Sequence, residues 1–275
     1  MTSAGRSNAG LVISSGKREL IFSSPLMNSA GFLGFGSEAR KLLDPDMLGA
    51  FVTAPVSLQP RTPARGPRAA ELPGSFLLHT GLPNPGLRSV LAREAPFWSQ
   101  LKTALILHLL VDHPQDLVDA GRLLDDFKRI DGIELGLEIL PPGQAAALIE
   151  QALRIQLPLI VRLPLDCPLE VFLTVEAAGA HALALGPPRG RAARSDGRSI
   201  SGRMYGPALL PLLLEKLSRL RSLIACPLIA GAGLFSPPDL QLALQNGADA
   251  LQLDSVLWTH PEIINSFEPG AGHSS

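Results

Sequence analysis

The chain has 275 residues, 46% of them hydrophobic and 18% charged, enough for one large buried core and for a single α/β barrel. A formal net charge of −1 offers no general attraction to nucleic acid or to an anionic membrane, so a small-molecule or protein partner is expected instead. Two cysteines, Cys167 and Cys226, make no disulfide framework and suit a reducing cytoplasm, and no apolar run is long enough to span a bilayer.

Residues 1–9 are small and polar and are expected to form a flexible start, with 10–267 as one barrel domain and 268–275 as a flexible end. Leu11–Ser14 and Glu19–Phe22 flank Ser15-Gly16-Lys17 and predict a hairpin that plugs the floor of the barrel. A first strand is expected over 25–30, followed by a glycine-rich turn and a helix capped by Ser37. A second strand spans 50–56, and the proline-rich excursion 58–85 that follows has the length of a binding loop or lid. Regular alternation then sets in: helix 87–100, strand 104–110, helix 115–129, strand 132–137, helix 143–155, strand 158–163, helix 168–178 and strand 181–185.

After a basic loop at 186–204, helix 206–222 leads to strand 227–230, a further helix and strand 249–253, and 256–266 closes a count of eight strands and eight helices. The fold class is therefore a (β/α)8 TIM barrel with an N-terminal β-hairpin. Small residues after the last two strands, Gly231-Ala-Gly and Asp254-Ser255, mark where such barrels hold phosphate. An open doubly wound sheet is the competing architecture, but the first turn has Gly31, Gly34 and Gly36 in the wrong spacing for a dinucleotide fingerprint.

Generic catalytic motifs are absent: there is no Gly-x-x-x-x-Gly-Lys-Ser/Thr loop and no Gly-x-Ser-x-Gly elbow. None of the six histidines has the helical spacing that binds a metal, and no metal site is expected. The loop 186–204 carries Arg189, Arg191, Arg194, Arg198 and Arg203, which either fold over an anion or stay solvated.

Specific segments resemble a known family. Asn28-Ser-Ala-Gly31, Gly49 through Arg61, Gly81-Leu-Pro-Asn-Pro-Gly86, Gly202-Arg-Met-Tyr-Gly-Pro-Ala-Leu, Pro227-Leu-Ile-Ala-Gly-Ala-Gly and Gly247-Ala-Asp-Ala-Leu-Gln-Leu are similar, in order, to dihydroorotate dehydrogenases. The resemblance implies a (β/α)8 barrel that binds FMN and oxidises dihydroorotate to orotate, a step of pyrimidine biosynthesis. It implies cofactor contacts at Ala30, Gly31, Ser57, Arg162, Gly202, Ala232, Gly233 and Ser255.

Several family positions are changed. Ala54 stands where the family has a lysine, Leu78 and Ala184 where it has asparagines, and Gly136-Leu-Glu-Ile-Leu-Pro141 where it has Asn-x-Ser-Cys-Pro-Asn, so that Ile139 replaces the cysteine base. Arg162 replaces a second lysine and keeps its charge. Asp254 replaces a cradle glycine, and a carboxylate about 4 Å from one phosphate charge costs on the order of 4 kcal/mol at an effective dielectric near 20. The alternative is that Asp254 or Ser255 caps the last helix. Glu138 is a candidate replacement base if burial raises its pKa, although strand alternation and the charge of an orotate carboxylate speak against it.

Three readings follow: a barrel without dihydroorotate oxidation that binds a small-molecule ligand or has a regulatory or structural role, an FMN-dependent oxidoreductase of altered specificity, or a cofactor-free enzyme for phosphorylated substrates. The resemblance implies FMN, but the substitutions argue against its retention. Homodimerisation is left open, since many members of that family dimerise.

Overall fold

The structure, a computed structural model, describes residues 11–16, 18–193 and 197–267. The expectations for 1–9, for 268–275 and for Arg194 lie outside those residues. The described chain opens on the antiparallel hairpin β1 (Val12–Ser15) and β2 (Arg18–Ile21), in which Ile13 pairs with Leu20 and both are buried. Leu20 presses on Gly132 so closely that a Cβ there would stand 2.9 Å from a Leu20 methyl.

In chain order, β3 (Leu26–Asn28) and β4 (Ala50–Val52) come next, and β4 resumes after Pro55 as the short β5 (Val56–Ser57). The predicted second strand is split there because proline brings no N–H to the ladder. The hairpin β6 (Ala69–Leu72) and β7 (Ser75–Leu78) lies within the proline-rich excursion. Then follow α1 (Leu87–Trp98), β8 (Ala104–Leu110), α2 (Pro114–Leu124), β9 (Gly132–Gly136), α3 (Pro142–Leu153), β10 (Leu159–Pro164), α4 (Leu169–Ala177) and β11 (Ala182–Gly186).

The chain continues through β12 (Arg189–Ala193), β13 (Ser199–Tyr205), α5 (Leu210–Arg221), β14 (Leu228–Ala230), α6 (Pro237–Gln245), β15 (Ala250–Leu253) and α7 (Val256–Thr259). Eight parallel strands close in the order β3, β4, β8, β9, β10, β11, β14, β15 and back to β3. Gly132 begins β9, so the hairpin seals the N-terminal end of the barrel, opposite the turns that follow β14 and β15.

Local chemistry sets the helix starts. Ser236 accepts from the Asp239 backbone and Asp239 returns a bond to the Ser236 backbone, with Pro237 at the first position of α6. Leu117, Ala120 and Leu124 of α2 and Leu213, Leu217 and Leu220 of α5 recur at helical spacing and are buried in the shell between helices and strands. Inside the barrel a second cluster joins Ile13, Leu20 and Phe22 of the floor to Met27, Ile106, Ile160, Ala182, Ile229 and Ala250 of the strands.

Three expectations need correction. The helix expected after Ser37 is only a 3-10 turn, Ala39–Lys41, because Asp44 must be extended ahead of Pro45 and too few residues remain to repay helix nucleation. Seven α-helices are therefore seen among the described residues instead of eight. Helix α2 stops at Leu124 instead of 129, since Asp125 and Asp126 place negative charge at the negative end of its dipole. The stretch 186–204 is not an open loop: β12 and β13 form a hairpin, and β13 pairs with β7 to make a four-stranded antiparallel sheet with the excursion.

Candidate functional site

Side chains alternate along each strand, so the residues two beyond the apolar interior layer also point inward, toward the C-terminal mouth. Beyond Ile106 comes His108, beyond Gly132 comes Glu134, beyond Ile160 comes Arg162, and beyond Ala250 comes Gln252. These four meet. His108 Nδ1 lies 2.6 Å from Glu134 Oε1, Gln252 Nε2 donates to Glu134 Oε2, and Arg162 Nη1 donates to Gln252 Oε1 at 2.9 Å and sits 3.7 Å from Glu134 Oε1.

Glu134 is fully buried, and burial works to raise its pKa. The His108 hydrogen bond, the Arg162 charge and the Gln252 bond outweigh that and leave it below the ordinary carboxylate range. An ionised carboxylate only accepts, so His108 Nδ1 carries the proton that it shares with Glu134. Two glycines make room for the cluster. A Cβ on Gly136 would stand 2.6 Å from His108 Nε2, and one on Gly186 would stand 2.6 Å from Arg162 Nε.

Above the cluster is a cavity of about 250 Å³ lined by Ala30, Arg61, His108, Gly136, Glu138, Arg162, Arg203 and Tyr205 among others. A second cavity of about 290 Å³ shares Ala30, Arg61, Glu138, Arg203 and Tyr205 and is roofed by Leu78–Leu82 of the excursion. Arg203 donates to Glu138 at 2.8 Å and to the Pro187 carbonyl at 3.0 Å, and Arg189 joins the same Glu138 oxygen at 3.2 Å. Arg61 pairs with Asp112. Arg162 is different: its side chain is only 11% exposed, and its Nε and Nη2 have no protein acceptor among the described residues.

The phosphate corner is closed. Ala232, Asp254 and Ser255 are buried, and neither cavity reaches them or Gly233. Gly233 is pressed on the start of α5, where a Cβ would stand 2.4 Å from the Leu210 nitrogen. Asp254 Oδ1 accepts from Ser255 Oγ at 3.1 Å, while Oδ2 is buried without a partner. Burial pushes its pKa up to about 6, against the bonds from Ser255 and the Val256 backbone and the charge of Arg162. The wall of the second cavity is aromatic: Phe32 packs edge-on to Tyr205 at 5.1 Å and against Trp258 at 4.7 Å, and Phe76 stacks on Tyr205. Trp258 Nε1 donates to the Phe32 carbonyl at 2.9 Å, which ties the wall to α7.

The family model for dihydroorotate dehydrogenase matches residues 16–135. The catalytic subunit of dihydroorotate dehydrogenase B (NAD(+)) from Pelobacter propionicus is 28% identical over 270 residues, 90% of this chain and 88% of the relative. The subunit of the same name from Listeria welshimeri is 29% identical over 267 residues, 89% of this chain and 87% of the relative. A crystal structure of DHODH in complex with ferulenol from Eimeria tenella superposes with a TM-score of 0.75 over 92% of this chain and 81% of that one, at 14% identity. The chain is similar to dihydroorotate dehydrogenases along most of its length and shares their barrel fold.

The positions that the dihydroorotate dehydrogenase resemblance marks for the cofactor fall into two groups. Ala30, Gly31, Arg162 and Gly202 line the cavities, as does Glu138, the candidate base, whose Oε1 is taken by two guanidiniums. Ser57, Ala232, Gly233 and Ser255 line neither cavity, and Ser57 Oγ is used on the Gln59 carbonyl and Asn84. Ile139 is 46% exposed and also lies outside both cavities. Cys167 and Cys226 are away from the mouth too, and burial pushes their thiols up to about 11 and about 12.

Sequence reasoning missed His108, Glu134 and Gln252. Their signal is one of parity: each is the polar residue in an otherwise apolar buried strand, and each falls on the inward side.

Proposed function

We propose that this dihydroorotate-dehydrogenase-like barrel binds a small anionic ligand at its mouth and does not carry out FMN-dependent dihydroorotate oxidation. Arg162 carries the reading: a nearly buried guanidinium with unpaired N–H donors facing a cavity leaves a site that a carboxylate or phosphate oxygen completes. Arg203, on the same cavity wall, adds a second positive group.

The residues present do not fit flavin mononucleotide. A phosphate in the corner after β14 and β15 would meet the buried, unpartnered oxygen of Asp254, and neither cavity reaches Ala232, Gly233 or Ser255 there. A phosphorylated substrate in the same corner meets the same obstacle. Among the described residues, no thiol, lysine or asparagine lines either cavity in place of the substrate contacts expected at Ala54, Leu78, Gly136, Ile139 and Ala184. Among the described residues no helix is long and apolar enough to cross a membrane.

The second reading is an active FMN-dependent oxidoreductase of altered specificity. The names of the relatives favour it, since they are catalytic subunits of dihydroorotate dehydrogenase B, as does the positive charge retained at Arg162.

One preparation separates the two. Purified protein is expected to be colourless, to show no rise in melting temperature with added FMN, and to give no dye-linked dihydroorotate oxidation above a blank. Millimolar malonate or inorganic phosphate is expected to raise the melting temperature relative to chloride at equal ionic strength, and Arg203→Gln should weaken that effect. A stoichiometric flavin spectrum, or a clear upward shift with FMN, establishes the oxidoreductase instead.

A further inference from the structure

We infer that His108 is the acid and base of this site, exchanging a proton with a small carboxylate that carries an adjacent carbonyl, a 2-oxo acid in the simplest case. The inference rests on the anion-binding reading above and names the substrate class for it.

The geometry has three parts. The His108 residue is 4% exposed, and its Nδ1 is fixed by an ionised Glu134 at 2.6 Å, which leaves Nε2 as the free end of the ring. Nε2 has no protein hydrogen-bond partner among the described residues, and the ring lines the first cavity beneath the open face of Gly136. Buried polar groups in a purely structural cluster are normally paired at every atom, whereas this one is paired only at the end away from the cavity. Third, Arg162 stands beside it on the same cavity, linked to Glu134 through Gln252, with donors available for a carboxylate or an enolate oxygen. The other charged or titratable groups on that wall are Arg61, Asp112, Glu138, Arg203 and Tyr205. The first four of these form ion pairs among themselves.

The chemistry balances within the site. Nε2 takes a proton from the carbon next to the carbonyl: the C–H bond breaks, an N–H bond forms, and the electron pair moves to the carbonyl oxygen as an enolate beside Arg162. Return of a proton from the imidazolium to the same carbon reverses the step, so the net result in solvent is hydrogen exchange, and no oxidant or cofactor is consumed. Glu134 is a positioning residue that holds Nδ1–H and stabilises the imidazolium.

The test is proton NMR of the full-length protein in D2O with pyruvate, oxaloacetate and 2-oxoglutarate as probes. Protein-dependent loss of the C3 proton signal is expected for at least one of them, slowed about 100-fold or more in His108→Asn, since general acid–base catalysis contributes at least that much. Glu134→Gln should lower the rate and move its pH profile while malonate protection persists. If malonate protects the protein but none of the three probes exchanges above the blank, the inference falls and the anion site stands. If malonate gives no protection, the anion-binding reading falls as well. Exchange that survives in a folded His108→Asn assigns the base elsewhere. Should that variant fail to fold, the wild type labelled with 15N-histidine decides: the His108 Nε2 resonance must move when oxalate binds, and an unmoved resonance overturns the assignment.

Discussion

Asp254→Asn is expected to stabilise the protein at pH 8 by about 2 kcal/mol. In the folded state burial pushes the Asp254 carboxyl up to about 6, against the bonds from Ser255 and the Val256 backbone and the charge of Arg162. Its ordinary value is 3.8. The folded chain therefore holds this proton more tightly than the unfolded chain, and stability falls as pH rises from about 4 to about 6, then stays lowered. A displacement of that size is worth about 3 kcal/mol, and the asparagine returns part of it, since its own N–H2 group lacks an acceptor there. For a domain of this size the net gain corresponds to roughly 5 °C in melting temperature. The gain should vanish near pH 4, where the native carboxyl is already protonated. Thermal unfolding of both proteins at the two pH values tests this, and equal melting temperatures at pH 8 would show that Asp254 has an unseen partner. The variant should still not take up FMN, because Ala232, Gly233 and Ser255 stay outside both cavities.

The barrel was legible because its strands are short apolar runs between helical patterns, and both signals are local. Strand β8 coincides with its predicted span of 104–110 for that reason. What escaped is non-local. The hairpin β12–β13 looks like a loop by its Pro, Gly and Ser content, yet it is held by β7, more than a hundred residues earlier, through the pairing of Arg203 with Leu78. The His108–Glu134–Gln252 cluster draws on β8, β9 and β15, and no window of the sequence contains two of its members in contact. Asp254 and Ser255 stood out through the family resemblance, but only the packing shows that one Asp254 oxygen meets the Ser255 hydroxyl and the other meets nothing. Arg162 was legible as a retained charge; its unpaired donors were not, since they depend on which acceptors the neighbouring strands bring.

Arg162→Ala is expected to cost the fold about 3 kcal/mol or more. Its guanidinium is the cation that faces the fully buried Glu134 across 3.7 Å, and it supplies the donor for Gln252 Oε1. Removing one partner of a buried pair leaves the other charge desolvated and uncompensated, a loss of about 3–5 kcal/mol in comparable cases. The bond from His108 softens this loss without removing it. The melting temperature should fall by roughly 10 °C at pH 7. The sign of the pH dependence follows from Glu134, whose folded pKa is depressed from 4.5: its contribution is present above that value and is lost as pH falls through the folded one. The difference between Arg162→Ala and the wild type should therefore narrow in acid, where the carboxyl is protonated in both. Arg162→Met combined with Glu134→Gln should recover much of the loss at pH 7, because it removes both buried charges together. A double variant as unstable as Arg162→Ala would mean that Arg162 stabilises the mouth by packing, and that its charge is held there for the ligand alone.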